Sequence, residues 1–322
     1  MKALGYYYLI IIFAVIVIPL LIVKGCGGLN KESIKGLKDN QIKVYFHMQK
    51  KVKDIDFDEY IKGVLAAEMP ASYNIEALKA QAVAARTYAY NKIFSGGRDI
   101  TEHQGADVCT DSTHCQAWMS REEALAKWPA SKAKSYWDRI SWAVRSTSGE
   151  MIYYENEIAN PVFHANSGGE TENSEDAWGG VVVPYLRAVK SLGEENSSGY
   201  YSEVEITISD FIQKLKKFNS EFSIDLKKVF QNIKIIDYTG GGRVKNIKIG
   251  NISFKGTDIR TIFNLKSTNF KIEAKEGKVL FKVKGFGHGV GLSQCGADAL
   301  AQKGYSYKEI LDYYYKGTQV KE

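Results

Sequence analysis

Residues 61–90 read IKGVLAAEMPASYNIEALKAQAVAARTYAY, and they constrain this chain more than any other stretch. Before Pro70, Ile61, Val64, Leu65 and Glu68 fall at i, i+3, i+4 and i+7, one face of a helix that Asp56 or Asp58 can cap. Burial of that face puts the Glu68 carboxyl on an apolar stripe. Pro70 disfavours helical geometry at Met69, so Glu68 belongs in the last turn. Loss of water and the negative end of the helix dipole both raise a carboxyl pKa there. A carboxyl kept protonated near neutral pH is what a general acid requires. The opposed reading turns Glu68 outward or pairs it with Lys79 or Arg86. From Asn74, a candidate cap, to Phe94 runs a second helix rich in alanine, whose small side chains let neighbours approach closely. Its polar members Lys79, Gln81, Arg86 and Tyr88 are candidates to face a cleft beside Glu68, or are ordinary packing groups.

Two later stretches carry chemistry-bearing residues beside glycines. In NPVFHANSGGETENSEDAWGG a short strand, VFHAN, runs into a turn at Ser167, Gly168 and Gly169. Glycines there allow a backbone to approach a ligand. His164, Ser167, Glu170 and Thr171 are candidate substrate contacts. Glu170, Glu172, Glu175 and Asp176 could supply the second carboxylate of an ordinary glycosidase, or simply cap a turn and the helix starting at Ser174. In VKGFGHGVGLSQCGADALAQ, His288 lies between Gly287 and Gly289, followed by Ser293 and Gln294, also candidate substrate contacts. Cys295 is read as a small packed residue, with a Cys295/His288 hydrolase as the alternative.

The segment TEHQGADVCTDSTHCQAW holds His103, Cys109, His114 and Cys115 within thirteen residues. Imidazole and thiolate are the ligands zinc prefers, so a structural zinc site is expected there. Binding through both His114 and Cys115 demands a sharp local turn. A Cys109–Cys115 disulfide is the competing reading. The four cysteines are too scattered for a disulfide framework.

The EMP segment closely resembles the signature of the SpoIID/LytB family. The SGGETENSEDAWG and GHGVGLSQCGA stretches resemble that family's later motifs, so the resemblance runs from about Val44 to the C-terminus. The family includes lytic transglycosylases that cut peptidoglycan glycan strands. The resemblance makes Glu68 the catalytic acid of a reaction that closes a 1,6-anhydro ring on N-acetylmuramic acid. It also implies engulfment during sporulation, glycan strands stripped of stem peptides as substrate, and an amidase and a membrane scaffold as partners. Some relatives only activate an amidase, which leaves a non-catalytic wall-binding protein as the alternative.

The expected fold is α+β: a mixed core (42–200 and 278–322) whose helical pair carries Glu68, and a lysine-rich α/β satellite lobe (201–277). In that lobe short strands alternate with helices at Ser209–Phe218 and Asp258–Leu265, and YTGGG marks a hairpin turn. Val181–Lys190 reads as a further strand, and Pro129 splits a helical stretch from Ser120 to Gly149. Gly5–Val23 is uncharged and long enough to span a bilayer, so residues 1–26 are read as a single-pass anchor. Lys24 spoils a lipobox at Gly25–Cys26. Residues 27–41 are a polar linker, and the resemblance puts the catalytic part outside the membrane. The formal net charge of +6 suits an anionic polymer, but no zinc finger, RNA-recognition signature or basic helix supports nucleic acid.

Overall fold

The computed structural model describes residues 40–94, 103–180 and 182–322. The expected anchor and nearly all of the linker fall outside them. Among the described residues no helix is long and apolar enough to cross a membrane. The architecture is mixed α+β, with helices and several small sheets.

Asp56 accepts a hydrogen bond from the Glu59 N–H at 3.0 Å and opens helix α1 (Phe57–Glu68). Ile61, Val64 and Leu65 are fully buried along its stripe. Met69 turns extended, φ −121° and ψ 143°, as the residue before a proline should. Asn74 then accepts from the Glu76 N–H at 3.0 Å and starts α2 (Ile75–Phe94). Every residue of α2 from Ala80 to Ala89 is buried, so the middle of this helix has no solvent face.

A capping box between Ser120 and Glu123 opens α3 (Arg121–Lys127), and Pro129 separates it from α4 (Ala130–Ser146). A short α5 (Ser174–Trp178) follows the SGG turn. The satellite lobe contributes α6 (Ile208–Phe218) and α7 (Gly256–Phe263). Two more helices, α8 (Gln294–Gln302) and α9 (Tyr307–Tyr314), close the chain. Helices α1, α4, α8 and α9 and the strand Met151–Tyr154 all pack on α2. Alanines permit that crowding, because each neighbour can approach the backbone itself.

Two expectations shift. Residues 182–190 form no strand. They run beside Gly169–Thr171, but the Thr171 hydroxyl and backbone share the pairing with Val189, so a regular ladder does not form. The satellite lobe also extends past residue 277. Phe270–Lys275 pairs antiparallel with Lys278–Lys284, which pairs in turn with Tyr201–Thr207. Val279, Phe281 and Val283 therefore join Phe211, Phe263 and Ile247 in that lobe's core. Its second sheet orders Ile252–Lys255, Val244–Ile249 and Ile233–Tyr238, with the YTGGG turn joining the last two strands.

Candidate active site and metal cluster

Glu68 is the last residue of α1 and is only partly exposed. Burial holds its carboxyl above the ordinary range. The Ala117 N–H, which donates to Oε1 at 2.8 Å, and the Gln294 side chain favour the ionised form without offsetting that burial. No cation pairs with Glu68 among the described residues; Lys79 pairs with Glu76 at 2.7 Å instead. Gln294, at the start of α8, donates to Gln81 of α2 at 3.4 Å. The strap and α8, distant in sequence, thus meet at one carboxyl, with α2 behind Gln294.

The Ala117 donor is placed by a close crossing. Residues 116–119 run over α1 at Gly63, where a Cβ would lie 2.1 Å from Trp118 Nε1 and 2.7 Å from the Met119 carbonyl oxygen. Only glycine lets the strap lie there. Gln116 ties the same strap to the Tyr60 hydroxyl at 3.3 Å. On the other side of Glu68, Arg139 of α4 donates to the carbonyls of Ala71 and Tyr73, which fixes the turn after Pro70.

The strap leaves directly from the histidine–cysteine cluster. His103, Cys109, His114 and Cys115 offer ligand atoms that all lie within 4.8 Å of one another. Cys109 is carried by a two-residue strand paired with Tyr45 in Gln41–Phe46. An Asp111 turn, closed by the Cys115 N–H on the Asp111 carbonyl at 2.7 Å, brings the adjacent His114 and Cys115 round together. Sulfur–nitrogen separations are 3.3 Å (Cys115–His103), 3.6 Å (Cys109–His114) and 3.7 Å (Cys115–His114). A tetrahedral zinc ion with Cys and His ligands has an S···N edge of roughly 3.6 Å, so the donor set fits. Cys109 and Cys115 are free thiols, not a disulfide. The hydrogen bond from Cys109 brings Cys115 down to about 7, and the same contact pushes Cys109 up. Tyr88 donates its hydroxyl to the His114 carbonyl at 3.3 Å, so this residue of α2 supports the cluster.

Arg86 is spent on the end of α4, donating to the carbonyls of Val144 and Glu150 and to the Thr147 hydroxyl. The two glycine-rich motifs lie together, with Phe163–His164 paired parallel to Leu292–Ser293. His288 Nε2 faces the Phe163 carbonyl at 2.9 Å and its Nδ1 accepts from the Val290 N–H at 3.1 Å. Burial pushes His288 down to about 4, so it is a neutral imidazole bound to backbone at both nitrogens. That arrangement leaves no base for a Cys295 nucleophile; the thiol instead lies 3.1 Å from the Tyr73 hydroxyl. His164 bonds the Val290 carbonyl through Nδ1 at 3.1 Å, and burial lowers its pKa strongly.

All four candidates for a second carboxylate are engaged elsewhere. Glu170 pairs with Lys190 at 2.6 Å, Glu175 with Arg187 at 2.8 Å, and Asp176 with Lys245 at 3.1 Å. Glu172, 1% exposed, accepts from Thr239 and from the Gly241 N–H at 3.0 Å. Two residues with no local sequence signal hold the motifs in place. Glu194 is fully buried and accepts from Ser167, Gly169, Ser191 and Ser293. Arg243, reaching in from the satellite hairpin, donates to the carbonyls of Ser167 and Glu170 and lies flat on Gly289, where a Cβ would meet its guanidinium at 2.4 Å. Thr171 bonds the backbone at Val189.

The molecule is thus an α+β protein with a buried acid on a helix end, a strap that aims an N–H at it and two glycine-rich motifs packed together. Residues 45–154 match the family model described as stage II sporulation protein, and residues 186–291 match a second one described as a domain of unknown function. The stage II sporulation protein D of Bacillus subtilis (strain 168) is 35% identical over 87% of this chain and 79% of its own length. That of Bacillus amyloliquefaciens is 32% identical over 87% of this chain and 78% of its own. The amidase enhancer of Bacillus subtilis (strain 168) is 30% identical over 80% of this chain but 40% of its own length. The chain belongs to the stage II sporulation protein D family, as its motifs led one to expect.

Proposed function

We propose that this protein is a lytic transglycosylase acting on peptidoglycan glycan strands in the sporulating cell. The observation that carries the reading is Glu68: a buried carboxyl of raised pKa with no cation beside it among the described residues. Protonated Glu68 gives its proton to the glycosidic oxygen between N-acetylmuramic acid and N-acetylglucosamine. The ionised carboxylate, held by the Ala117 N–H, then takes the proton of the muramic C6 hydroxyl. That oxygen bonds to the anomeric carbon and leaves a 1,6-anhydro sugar. The nucleophile belongs to the substrate, so no second carboxylate is required. The engagement of Glu170, Glu172, Glu175 and Asp176 in the fold agrees with this and disfavours a two-carboxylate hydrolase.

His103, Cys109, His114 and Cys115 would hold zinc with four protein ligands, a closed site that anchors the strap bearing Ala117 and takes no part in the chemistry. Residues 1–26 would tether the chain to the cell membrane with the catalytic part outside, beside an amidase and a membrane scaffold. Their cooperation would give strands stripped of stem peptides as substrate. The similarity to an amidase enhancer supports one second reading, a wall-binding activator.

Digestion of purified glycan strands, with products weighed by mass spectrometry, separates the readings. Anhydro-muramic ends that disappear in Glu68→Gln, with strand binding retained, are the expected result. Reducing ends would overturn the mechanism, and binding without cleavage would favour the activator.

A further inference from the structure

Away from Glu68, a pocket of about 300 Å³ lies where α5 and the His288 loop meet the satellite lobe. That volume is at the lower end for small-molecule sites and suits one sugar ring. Trp178 forms one wall with 56% of its surface exposed, its ring 5.1 Å from His288. An exposed indole beside a polar floor is a surface on which the apolar face of a sugar can lie.

The charge lining the pocket does not cancel. Three carboxylates border it, and each faces a cation: Glu175 pairs with Arg187, Asp176 with Lys245, and Glu172 with Arg243. Arg243 faces Glu172 at 3.9 Å and the Ser167 and Glu170 carbonyls, yet its Nε is buried with no partner. Arg260 is half-buried on α7, and its Nε donates to the Leu265 carbonyl at 3.3 Å. No carboxylate pairs with it among the described residues, and burial alone lowers its pKa. Lys255 adds a second cation without an ion-pair partner among them. A guanidinium taken partly out of water with no counter-ion is costly unless an anion arrives. Its planar fork matches a carboxylate bidentately.

We propose that this pocket is a second saccharide site, separate from the Glu68 centre, which binds a carboxylate-bearing sugar: ring on Trp178, carboxylate on Arg260 with Lys255 close by. The assignment of wall glycan as the source of that sugar rests on the function proposed above. In such a strand the lactyl group of N-acetylmuramic acid carries a free carboxylate once its peptide is gone. The site would therefore distinguish stripped strands from peptide-bearing ones by charge and hold the strand while Glu68 acts elsewhere on it. A phosphorylated polyol from an anionic wall polymer offers the same anion on a different scaffold, and the test must separate the two.

Titration calorimetry of the full chain with N-acetylmuramic acid, N-acetylglucosamine and glycerol 3-phosphate does so. N-acetylmuramic acid is expected to bind about tenfold tighter than N-acetylglucosamine, with affinity falling as salt rises. Arg260→Gln and Trp178→Ala should each weaken it about tenfold, while Glu68→Gln leaves it unchanged. Arg260→Lys keeps the charge without the fork and should fall between. Equal binding of the two sugars, or an affinity insensitive to Arg260→Gln in a folded protein, overturns the proposal. So does glycerol 3-phosphate binding tighter through the same residues. Cleavage that depends on Glu68 with a silent pocket removes only this inference. Binding that depends on Arg260, without Glu68-dependent cleavage, removes only the function proposed above.

Discussion

Gly63→Ala tests whether the strap crossing α1 positions the acid. The new Cβ would lie 2.1 Å from Trp118 Nε1 and 2.7 Å from the Met119 oxygen. Non-bonded heavy atoms settle at about 3.5 Å or more, so the Trp118 ring must give way by roughly 1.4 Å and the strap backbone at Met119 by roughly 0.8 Å. The Ala117 N–H, now 2.8 Å from Glu68, would then lie beyond hydrogen-bond range. A hydrogen bond to an ionised group is worth about 1.5–3 kcal/mol, which converts to roughly a tenfold to hundredfold loss in kcat if the carboxylate form acts in ring closure. Overpacking costs about 1–3 kcal/mol of stability besides. The bond favours ionised Glu68, so its loss raises the Glu68 pKa further and moves the alkaline limb of the rate profile, where the general acid loses its proton, to higher pH. The assay is release of anhydro-muramic ends against pH, with the thermal midpoint measured alongside. Unchanged kcat and profile in a variant whose midpoint has fallen would refute the argument, since the strap would then matter to stability alone.

Glu68→Gln should also change stability with a definite sign. The folded carboxyl binds its proton more tightly than the unfolded one, so the contribution of Glu68 to stability is greatest at low pH and declines as pH rises above the ordinary carboxyl range. The variant does not titrate there, and its stability relative to wild type should increase from pH 4 to pH 7 in urea unfolding; a constant difference would contradict the raised pKa. Chelation should lower the thermal midpoint and activity together, and zinc should restore both. With zinc at a hundred times its Kd the gain is about 2.7 kcal/mol, and activity lost at an unchanged midpoint would contradict a structural role. Glu194→Ala orphans donors on Ser167, Gly169, Ser191 and Ser293, at about 1–3 kcal/mol for a buried group left unpaired. A loss under 1 kcal/mol in urea unfolding would show that water or repacking serves those donors.

The helical pair was legible because its signals are local. The apolar spacing of Ile61, Val64, Leu65 and Glu68, the proline after Met69 and the cap at Asn74 act within a few residues, and the structure follows them. The cluster of His103, Cys109, His114 and Cys115 was legible by composition, since few other uses gather those residue types in one loop. The strand expected over Val181–Lys190 failed because β propensity says nothing about a partner, and the Thr171 hydroxyl took part of the pairing. The boundary at 277 failed because the turn there looks like a linker, while the pairing across it is a property of the sheet.

Sequence alone placed Glu68 on a helix end, gathered the histidine–cysteine cluster in one loop and indicated the family. Tertiary structure alone decided which groups face that acid. Ala117 and Gln294 reach it from two distant parts of the chain, whereas Arg86, Tyr88 and His288 are bound to backbone carbonyls elsewhere. Spacing along a helix fixes the face a side chain occupies. Its partner on that face is set by chain arriving from tens or hundreds of residues away, and by a glycine such as Gly63 that lets it arrive.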